Sequence, residues 1–311
     1  MTRWLMLCLL LAAPLHAQDN AGVTGAQVLQ FLPGSRAASM SGAYTAVAGD
    51  ADALFYNPAG IASLRRAATL SYESYVADVA FGSLGVATRL SSFTIGASVA
   101  FLNAGDIRVV TPDPEFGGNT GVETGETVSA SESVLRLVGA LPLLDGRLRA
   151  GLALGFVATA LAEQHQTAPI ADIGAQYDIG PATIGVSLRN LGTDLSGDAE
   201  DKLPTEARIG AATSAIRAGA GVVSASAELI SRLGEGSLTF AGGVEAGLPG
   251  TDARPFALLA RVGFDAESNQ LGALRAGASL GFKDVTFDYT IQQLEFFGTV
   301  HRFGLRINHH R

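Results

Sequence analysis

Two patterns of apolar and polar positions divide the chain. From about Ala67 to the end, apolar residues alternate with polar or small ones in glycine-punctuated segments of about ten residues, without one convincing helical period. Leu148, Ala150, Leu152, Leu154, Phe156 and Ala158 fall on one face of an extended chain, with Arg149, Gly151, Gly155 and Thr159 on the other. The pattern recurs with Leu274, Ala276, Ala278, Leu280 and Phe282 against Arg275, Gly277, Ser279 and Gly281, and with Phe303, Leu305 and Ile307 against Arg302, Gly304 and Arg306. Predicted strands lie at 67–75, 79–90, 92–104, 127–140, 147–161, 167–179, 181–191, 204–213, 216–229, 236–247, 254–266, 270–281, 284–291 and 299–308. The stretch Pro33 to Leu64 is different: small residues run from Ala37 to Ala48, and Asp50, Asp52 and the Asn57-Pro58 pair each offer a helix-start signal. Short helical turns packed closely against something are expected there.

Composition places this β pattern in a membrane. Hydrophobic residues make up 48% of the chain, charged residues only 16% against a usual share of about 25%, and 38 of 311 residues are glycine. Residues 1–17 read as a cleaved secretory signal, with Arg3 ahead of an apolar core and Leu15-His16-Ala17 at the cleavage site. The only cysteine, Cys8, lies inside that leader. No run of 18 apolar residues follows, which removes transmembrane helices. The expected fold is therefore all-β: a monomeric transmembrane antiparallel β-barrel of about 14 strands in the outer membrane, apolar towards lipid and polar inside. Residues 18–66 are expected to form an N-terminal helical plug or hatch in its lumen, and 67–311 the barrel. A soluble β-sandwich or solenoid is the competing fold, disfavoured by the wide apolar face. The long connections 105–126, 192–203 and 292–298 follow odd-numbered strands, whereas tight turns near Ser91, Gly180-Pro181, Ser214-Ala215 and Lys283 follow even-numbered ones. That parity is expected of long external loops and short periplasmic turns, with both termini in the periplasm.

Phasing then places charges inward: Glu132, Arg136, Arg149, Arg189, Glu206, Arg208, Arg261, Asp265, Arg275, Asp288, Arg302 and Arg306. A lipid-facing Arg or Lys at mid-bilayer costs about 2–4 kcal/mol. Such charges either line a substrate path or simply neutralise one another across neighbouring strands. Acidic residues in the first long loop (Asp106, Asp113, Glu115, Glu123, Glu126) and in the second (Asp194, Asp198, Glu200, Asp201) either bind cations or a basic partner, or solvate exposed loops. A net charge of −8 argues against nucleic acid. No nucleophile elbow, Walker A loop, dinucleotide fingerprint or zincin motif occurs, and His165, His301, His309 and His310 lack metal-ligand spacing, so neither enzyme chemistry nor a cofactor or metal is expected.

The plug carries a recognisable motif. Gly34, Arg36, Met40, Gly42 and Ala43, then Ala46, Ala48 and Asp50, closed by Asn57, Pro58, Ala59, Gly60 and Ile61, resemble the N-terminal signature of the PorV/PorQ family of outer-membrane proteins, which are similar in turn to FadL-type barrels. Leu188-Arg189-Asn190-Leu191-Gly192, Leu203-Pro204, Arg208-Ile209-Gly210 and the ending His301 to Arg306 fit the same resemblance, which also guides the strand count. The chain departs from the family pattern at Ser41, where a second glycine is usual, and at its tail Asn308-His309-His310-Arg311, where an aromatic residue is usual. The resemblance implies a non-enzymatic barrel that handles secreted-protein cargo at the cell surface with secretion-complex subunits, in a type IX-like pathway. From the FadL side it implies instead a transporter of small hydrophobic compounds; a structural membrane protein is the third possibility. Arg36 is expected to anchor the plug to a luminal carboxylate or to carbonyls, with Asp50 and Asn57 capping turns beside it.

Overall fold

The computed structural model describes residues 24–75, 79–112, 121–196, 201–251, 254–266, 274–294 and 298–309. The predicted leader 1–17, residues 18–23 of the predicted plug, Asp113, Glu115, Asp198, Glu200, His310 and Arg311 lie outside them. Strands run in chain order as β1 (Arg66–Ser74), β2 (Ala80–Leu90), β3 (Phe93–Pro112), β4 (Gly121–Leu143) and β5 (Leu148–Leu161). They continue as β6 (Gln164–Ile179), β7 (Ala182–Gly192), β8 (Glu206–Thr213), β9 (Ile216–Ala218) and β10 (Gly221–Arg232). The last five are β11 (Ser237–Leu248), β12 (Phe256–Asp265), β13 (Leu274–Phe282), β14 (Val285–Leu294) and β15 (Gly298–His309).

Every ladder is antiparallel and, except that β8 pairs with β10, joins sequence neighbours; β1 pairs with β15 from Arg66↔His309 to Ser74↔His301, which closes the sheet. The three-residue β9 continues the line of β8 along β10, with a one-residue shift in register between Ser226↔Ala212 and Val223↔Ile216. Counted as one, β8 and β9 make this a closed 14-strand barrel. Closure leaves no unpaired edge, the condition for a sheet to cross hydrocarbon. Alternation sets the faces as the chemistry requires: Leu152, Leu154 and Phe156 of β5 are exposed, while Arg149, Ala153 and Val157 between them are buried. Leu70 and Tyr72 of β1 and Phe303 and Ile307 of β15 are likewise on the outside.

Four details depart from the sequence reading. Most of the expected loop 105–126 is strand, because β3 and β4 stay paired from Asp106↔Ser129 to Pro112↔Gly121. At about 3.3 Å per residue the 23 residues of β4 span far more than a lipid band of about 25 Å, so this ribbon of alternating polar and β-branched residues stands clear of the membrane. The turn expected at Ser214-Ala215 is a bulge instead, and the chain reverses at Gly219-Ala220, where Gly219 supplies φ 62°. The inner face is not uniformly polar: Phe81, Ala100, Val134, Val157, Ala168 and Ile170 of β2 to β6 are buried inward in one apolar cluster. Finally, the chain ahead of β1 does not stay at the short-turn end. Thr24 bridges Lys202, and its hydroxyl donates to Glu235 at 3.0 Å, both at the end of the long connections.

Between Thr24 and Arg66 the chain forms 3-10 turns at Gln27–Leu29, Ala51–Phe55 and Pro58–Ile61 and one five-residue helix, α1 (Ser35–Ser39). Wall glycines make room for it. A Cβ on Gly151 would stand 2.4 Å from the backbone nitrogen of Ala59, and one on Gly263 would stand 2.5 Å from the backbone of Met40 and Ser41. Glycine in these strands thus reflects backbone meeting backbone, and the small residues from Ala37 to Ala48 are the other half of the fit.

Candidate functional site

The N-terminal segment touches inward-facing residues all round the ring, and polar side chains of the wall satisfy its backbone. Ser83 accepts from the Gly34 N–H at 3.2 Å, and Thr290 donates to the Ser35 carbonyl at 2.8 Å. Glu228 accepts from the Thr45 N–H at 2.9 Å, while Gln176 donates to the carbonyls of Thr45 and Val47 at 3.0 and 3.1 Å. Arg302 donates to the Leu32 carbonyl and to Glu73. These bonds answer the demand that a segment too irregular to pair its own N–H and C=O groups must find partners when buried.

The motif residues take distinct parts. Gly34, at φ 78°, precedes α1 and lies against Asp52. Met40 and Gly42 sit where the chain leaves α1; Met40 packs on Gly243 and Gly263, and Gly42 takes φ 71°. Asp50 accepts from the Asp52 N–H at 3.0 Å and Asn57 from the Ala59 N–H at 3.0 Å, so both start 3-10 turns. Pro58 opens the second of these, and Gly60 lies against Ala53 and Val47. The Asn57 side-chain amide donates to the Thr45, Ala175 and Val186 carbonyls at 2.7, 3.3 and 3.2 Å, tying the segment to β6 and β7.

Charges form three groups. The first is a closed cycle of three arginines and three carboxylates. Arg36 grips Glu245 through two bonds at 2.7 and 2.9 Å and Asp50 at 3.0 Å. Arg306 meets the same Asp50 oxygen at 2.5 Å and Asp288 at 2.6 Å. Arg261 completes the ring between Asp288, at 3.2 Å, and Glu245. Two members belong to the N-terminal segment and four to β11, β12, β14 and β15. The second group centres on the buried Glu206, which takes Arg189 at 3.2 Å, Arg208 at 2.8 Å and Arg232 at 3.4 Å, with Arg208 also on Glu228 at 2.7 Å. The Arg189 and Arg208 guanidiniums lie 5.6 and 6.0 Å from the Tyr56 ring centre. The third comprises Arg136 on Asp172 at 2.7 Å and Arg149 on Asp178 at 2.5 Å.

Of the other inward charges read from the sequence, Glu132 accepts from the Val28 N–H at 2.7 Å, and Arg275 bonds Asp265 and the Ser41 hydroxyl. Sequence reading missed Glu73, Asp172, Glu228 and Glu245. Each stands two residues from an inward small or polar position, so the same alternation carried the signal. Asp52 was read only as a helix start. It is fully buried, accepting from Thr69 at 2.6 Å and from the Ala37 N–H at 3.2 Å. Burial, then the neighbouring Asp50 carboxylate, raises its pKa, whereas Arg306 and Arg36 outweigh the burial of Asp50 and hold that group low.

The end with the long connections is apolar on one side. Ala26, Val28 and Leu29 cover the cluster of Phe81, Val134, Val157 and Ile170, with Leu195 and Leu203 above, and Phe31 stacks on Phe81 at 4.9 Å. A recess of about 260 Å³ is lined by Ala26, Leu161 and Leu195 together with the polar Gln27, Glu132, Gln164 and Asp201. Near it the β6–β7 ladder is interrupted: Arg189 and Asn190 together oppose Asp172, Asn190 takes φ 56°, and its N–H donates to Asp172 at 2.7 Å. Among the described residues no three His, Cys, Asp or Glu side chains are placed to hold a metal ion.

The barrel has counterparts among solved structures. The toluene transporter TbuX of Ralstonia pickettii aligns over 89% of this chain and 98% of its own, with a TM-score of 0.59 and 14% identity. The Pseudomonas putida toluene transporter TodX aligns over 87% and 96%, with a TM-score of 0.58 and 11% identity. A Pseudomonas aeruginosa FadL homologue aligns over 89% and 98%, at 0.55 and 12%. The fold is that of a FadL-like barrel. No family model matches the chain, and no curated protein matches it. At these identities the likeness concerns architecture alone.

Proposed function

We propose that this protein conducts small hydrophobic compounds across the outer membrane, with residues 24–64 acting as a hatch in the lumen. The observation that carries this reading is the inward apolar stripe of Phe81, Val134, Val157, Ala168 and Ile170 at the outer end, covered by Val28, Leu29 and Phe31. A water-filled pore for polar solutes has no use for such a surface, and lipid does not reach it. Lifting the short 3-10 turn that covers it breaks few bonds, chiefly those of Val28 to Glu132 and of Thr24 to Glu235, and an apolar ligand on the stripe replaces the contacts that Val28, Leu29 and Phe31 give up. An apolar molecule arriving at the recess beside Leu195 displaces the turn, lodges on the stripe, and leaves past the interrupted β6–β7 ladder or beneath the hatch. The fold shared with two toluene transporters supports this reading. The handling of secreted cargo, which the PorV/PorQ resemblance implies, has that sequence resemblance alone behind it.

The test is solvent extraction of the barrel purified from native membranes, beside a pull-down from the same membranes and a titration with the apolar fluorophore N-phenylnaphthylamine. A stoichiometric apolar molecule and saturable fluorophore binding are expected, with Val157→Asp weakening the latter about tenfold or more, since a buried unpaired carboxylate is costly. Co-purified secreted proteins with no apolar ligand would overturn transport in favour of secretion.

A further inference from the structure

One inward charge of the barrel wall stands apart from the rest. The carboxylates of Glu73, Asp172, Glu206, Glu228 and Glu245 each meet an arginine, but Glu132 makes no ion pair among the described residues. One of its oxygens accepts from the Val28 N–H at 2.7 Å, and the other has no partner among the described residues.

Register places Glu132 at the edge of the apolar stripe. Val134, Val157 and Ala168 lie side by side on β4, β5 and β6, and all are buried. The next inward residues of these strands towards the outer end are Glu132, Thr159 and Gln166, again side by side. Two residues of extended chain separate the rows, so a line of acceptors stands about 7 Å above a line of apolar side chains. Glu132, Thr159 and Gln166 all line the recess of about 260 Å³, and among the described residues its lining holds the carboxylates of Glu132 and Asp201 and no cation. His165 and Lys202, next to lining residues in the chain, are exposed and do not line it.

For a ligand to lodge on the stripe the turn of Val28 must lift, and Glu132 then loses its hydrogen-bond donor. A carboxylate with neither donor nor counterion beside an apolar surface is costly, so a plain hydrocarbon leaves the opened site with an unmet charge. A ligand with a cationic donor at one end meets it, because an ammonium directs its N–H groups at several acceptors at once. We propose that the recess is a head-group subsite of the transport path and that its ligand is an amphipathic amine, with the ammonium on Glu132, Thr159 and Gln166 and the hydrocarbon part over Val134, Val157 and Ala168. The inference rests on the transport reading and names the substrate class for the same site. Exposed Glu163 and Asp194, next in the chain to the lining residues Gln164 and Leu195, give the mouth of the recess the sign that draws a cation.

The experiment is displacement of N-phenylnaphthylamine from the detergent-solubilised full-length protein by octylamine, octan-1-ol and octanoate, which share a chain length and differ in head group. Octylamine is expected to act at a concentration about tenfold or more below that of octanol, the factor that a hydrogen bond to a charged group typically contributes, with octanoate weakest. Glu132→Gln, which keeps an acceptor for Val28, should bring octylamine to within about twofold of octanol and leave octanol as in the native protein. Glu163→Gln should preserve the preference for the amine, and heat-modifiable gel migration verifies that each variant is folded. Saturable fluorophore binding without preference for octylamine, or a preference that a folded Glu132→Gln barrel retains, would overturn the head-group site and leave the transport reading standing. A preference lost equally in Glu163→Gln would assign it to the charge of the rim and overturn the site as well. Absence of saturable fluorophore binding would overturn both readings.

Discussion

Gly34 shows how tightly single positions of the N-terminal segment are specified. Its φ of 78° and ψ of 131° lie where only glycine is at ease, and a Cβ there would stand 2.3 Å from Cγ of Asp52. Gly34→Ala should destabilise the segment by roughly 3 kcal/mol or more, read as protease cleavage within residues 24–66 of an otherwise intact barrel. Ser41 is constrained in the same way. It adopts φ 53°, which favours glycine, and its hydroxyl accepts from Arg275 at 3.1 Å, which offsets the strain. Asp52 predicts a pH dependence. Its folded pKa is raised, so the folded state holds a proton that the unfolded chain has lost, and stability contributed by the protonated form declines as pH rises from about 4 through about 6. Asp50 works in the opposite sense, but only at lower pH, because its pKa is depressed. Protease resistance of the segment should therefore be greater at pH 4.5 than at pH 7.5, and Asp52→Asn should flatten the difference. A wild-type profile without slope would refute the assignment.

The contact of segment and wall is electrostatic on one side of the lumen and apolar on the other. On the charged side, Arg36 is the only cation that the segment contributes to the six-membered cycle. Removing it leaves Glu245 and Asp50 sharing two arginines, Arg261 and Arg306, with Asp288. Breaking a buried pair by deleting one partner typically costs about 3–5 kcal/mol. Arg36→Ala should loosen the segment and raise single-channel conductance in planar bilayers. If conductance and protease resistance both stay as in the native protein, the cycle does not anchor the segment. On the apolar side Gln27–Leu29 makes no ion pair among the described residues and is tied to the wall by the Val28–Glu132 bond, so under the proposed function the outer turn, rather than α1, is expected to move first.

At the scale of the whole molecule, fourteen strands enclose a lumen wider than wall side chains alone can fill; an eight-stranded barrel is about the size that they do fill. The segment makes up the difference, which explains why its small residues and the wall glycines occur in the same chain. The ribbon of β3 and β4 beyond Asn103 and Ser131 packs on nothing of the kind: Ile107 and Val110 are exposed, and its ion pair of Arg108 with Glu123 lies in solvent, where such pairs contribute little. Replacing residues 106–127 by a short turn should leave heat-modifiable migration and folding yield intact. A barrel that fails to assemble without the ribbon would show that the hairpin takes part in closure.

The alternation of Leu152, Leu154 and Phe156 with Arg149 determined strand, face and membrane by itself, because a period of two and the cost of a charge in lipid are local facts of the sequence. The turns at Asp50 and Asn57 were legible for the same reason: a cap needs only its own neighbours. Loop parity predicted which connections share an end of the barrel but not the ends of β3 and β4, since pairing beyond the membrane depends on the partner strand and not on hydropathy. What only the tertiary structure decided is which inward residues meet. Arg36 and Glu245 are 209 positions apart in the chain, and Val28 and Glu132 are 104. The wall's apolar stripe emerges only when Phe81, Val134, Val157 and Ile170, inward residues of four strands, are brought side by side by closure. No single strand carries that surface, so no reading of one segment at a time could have found it.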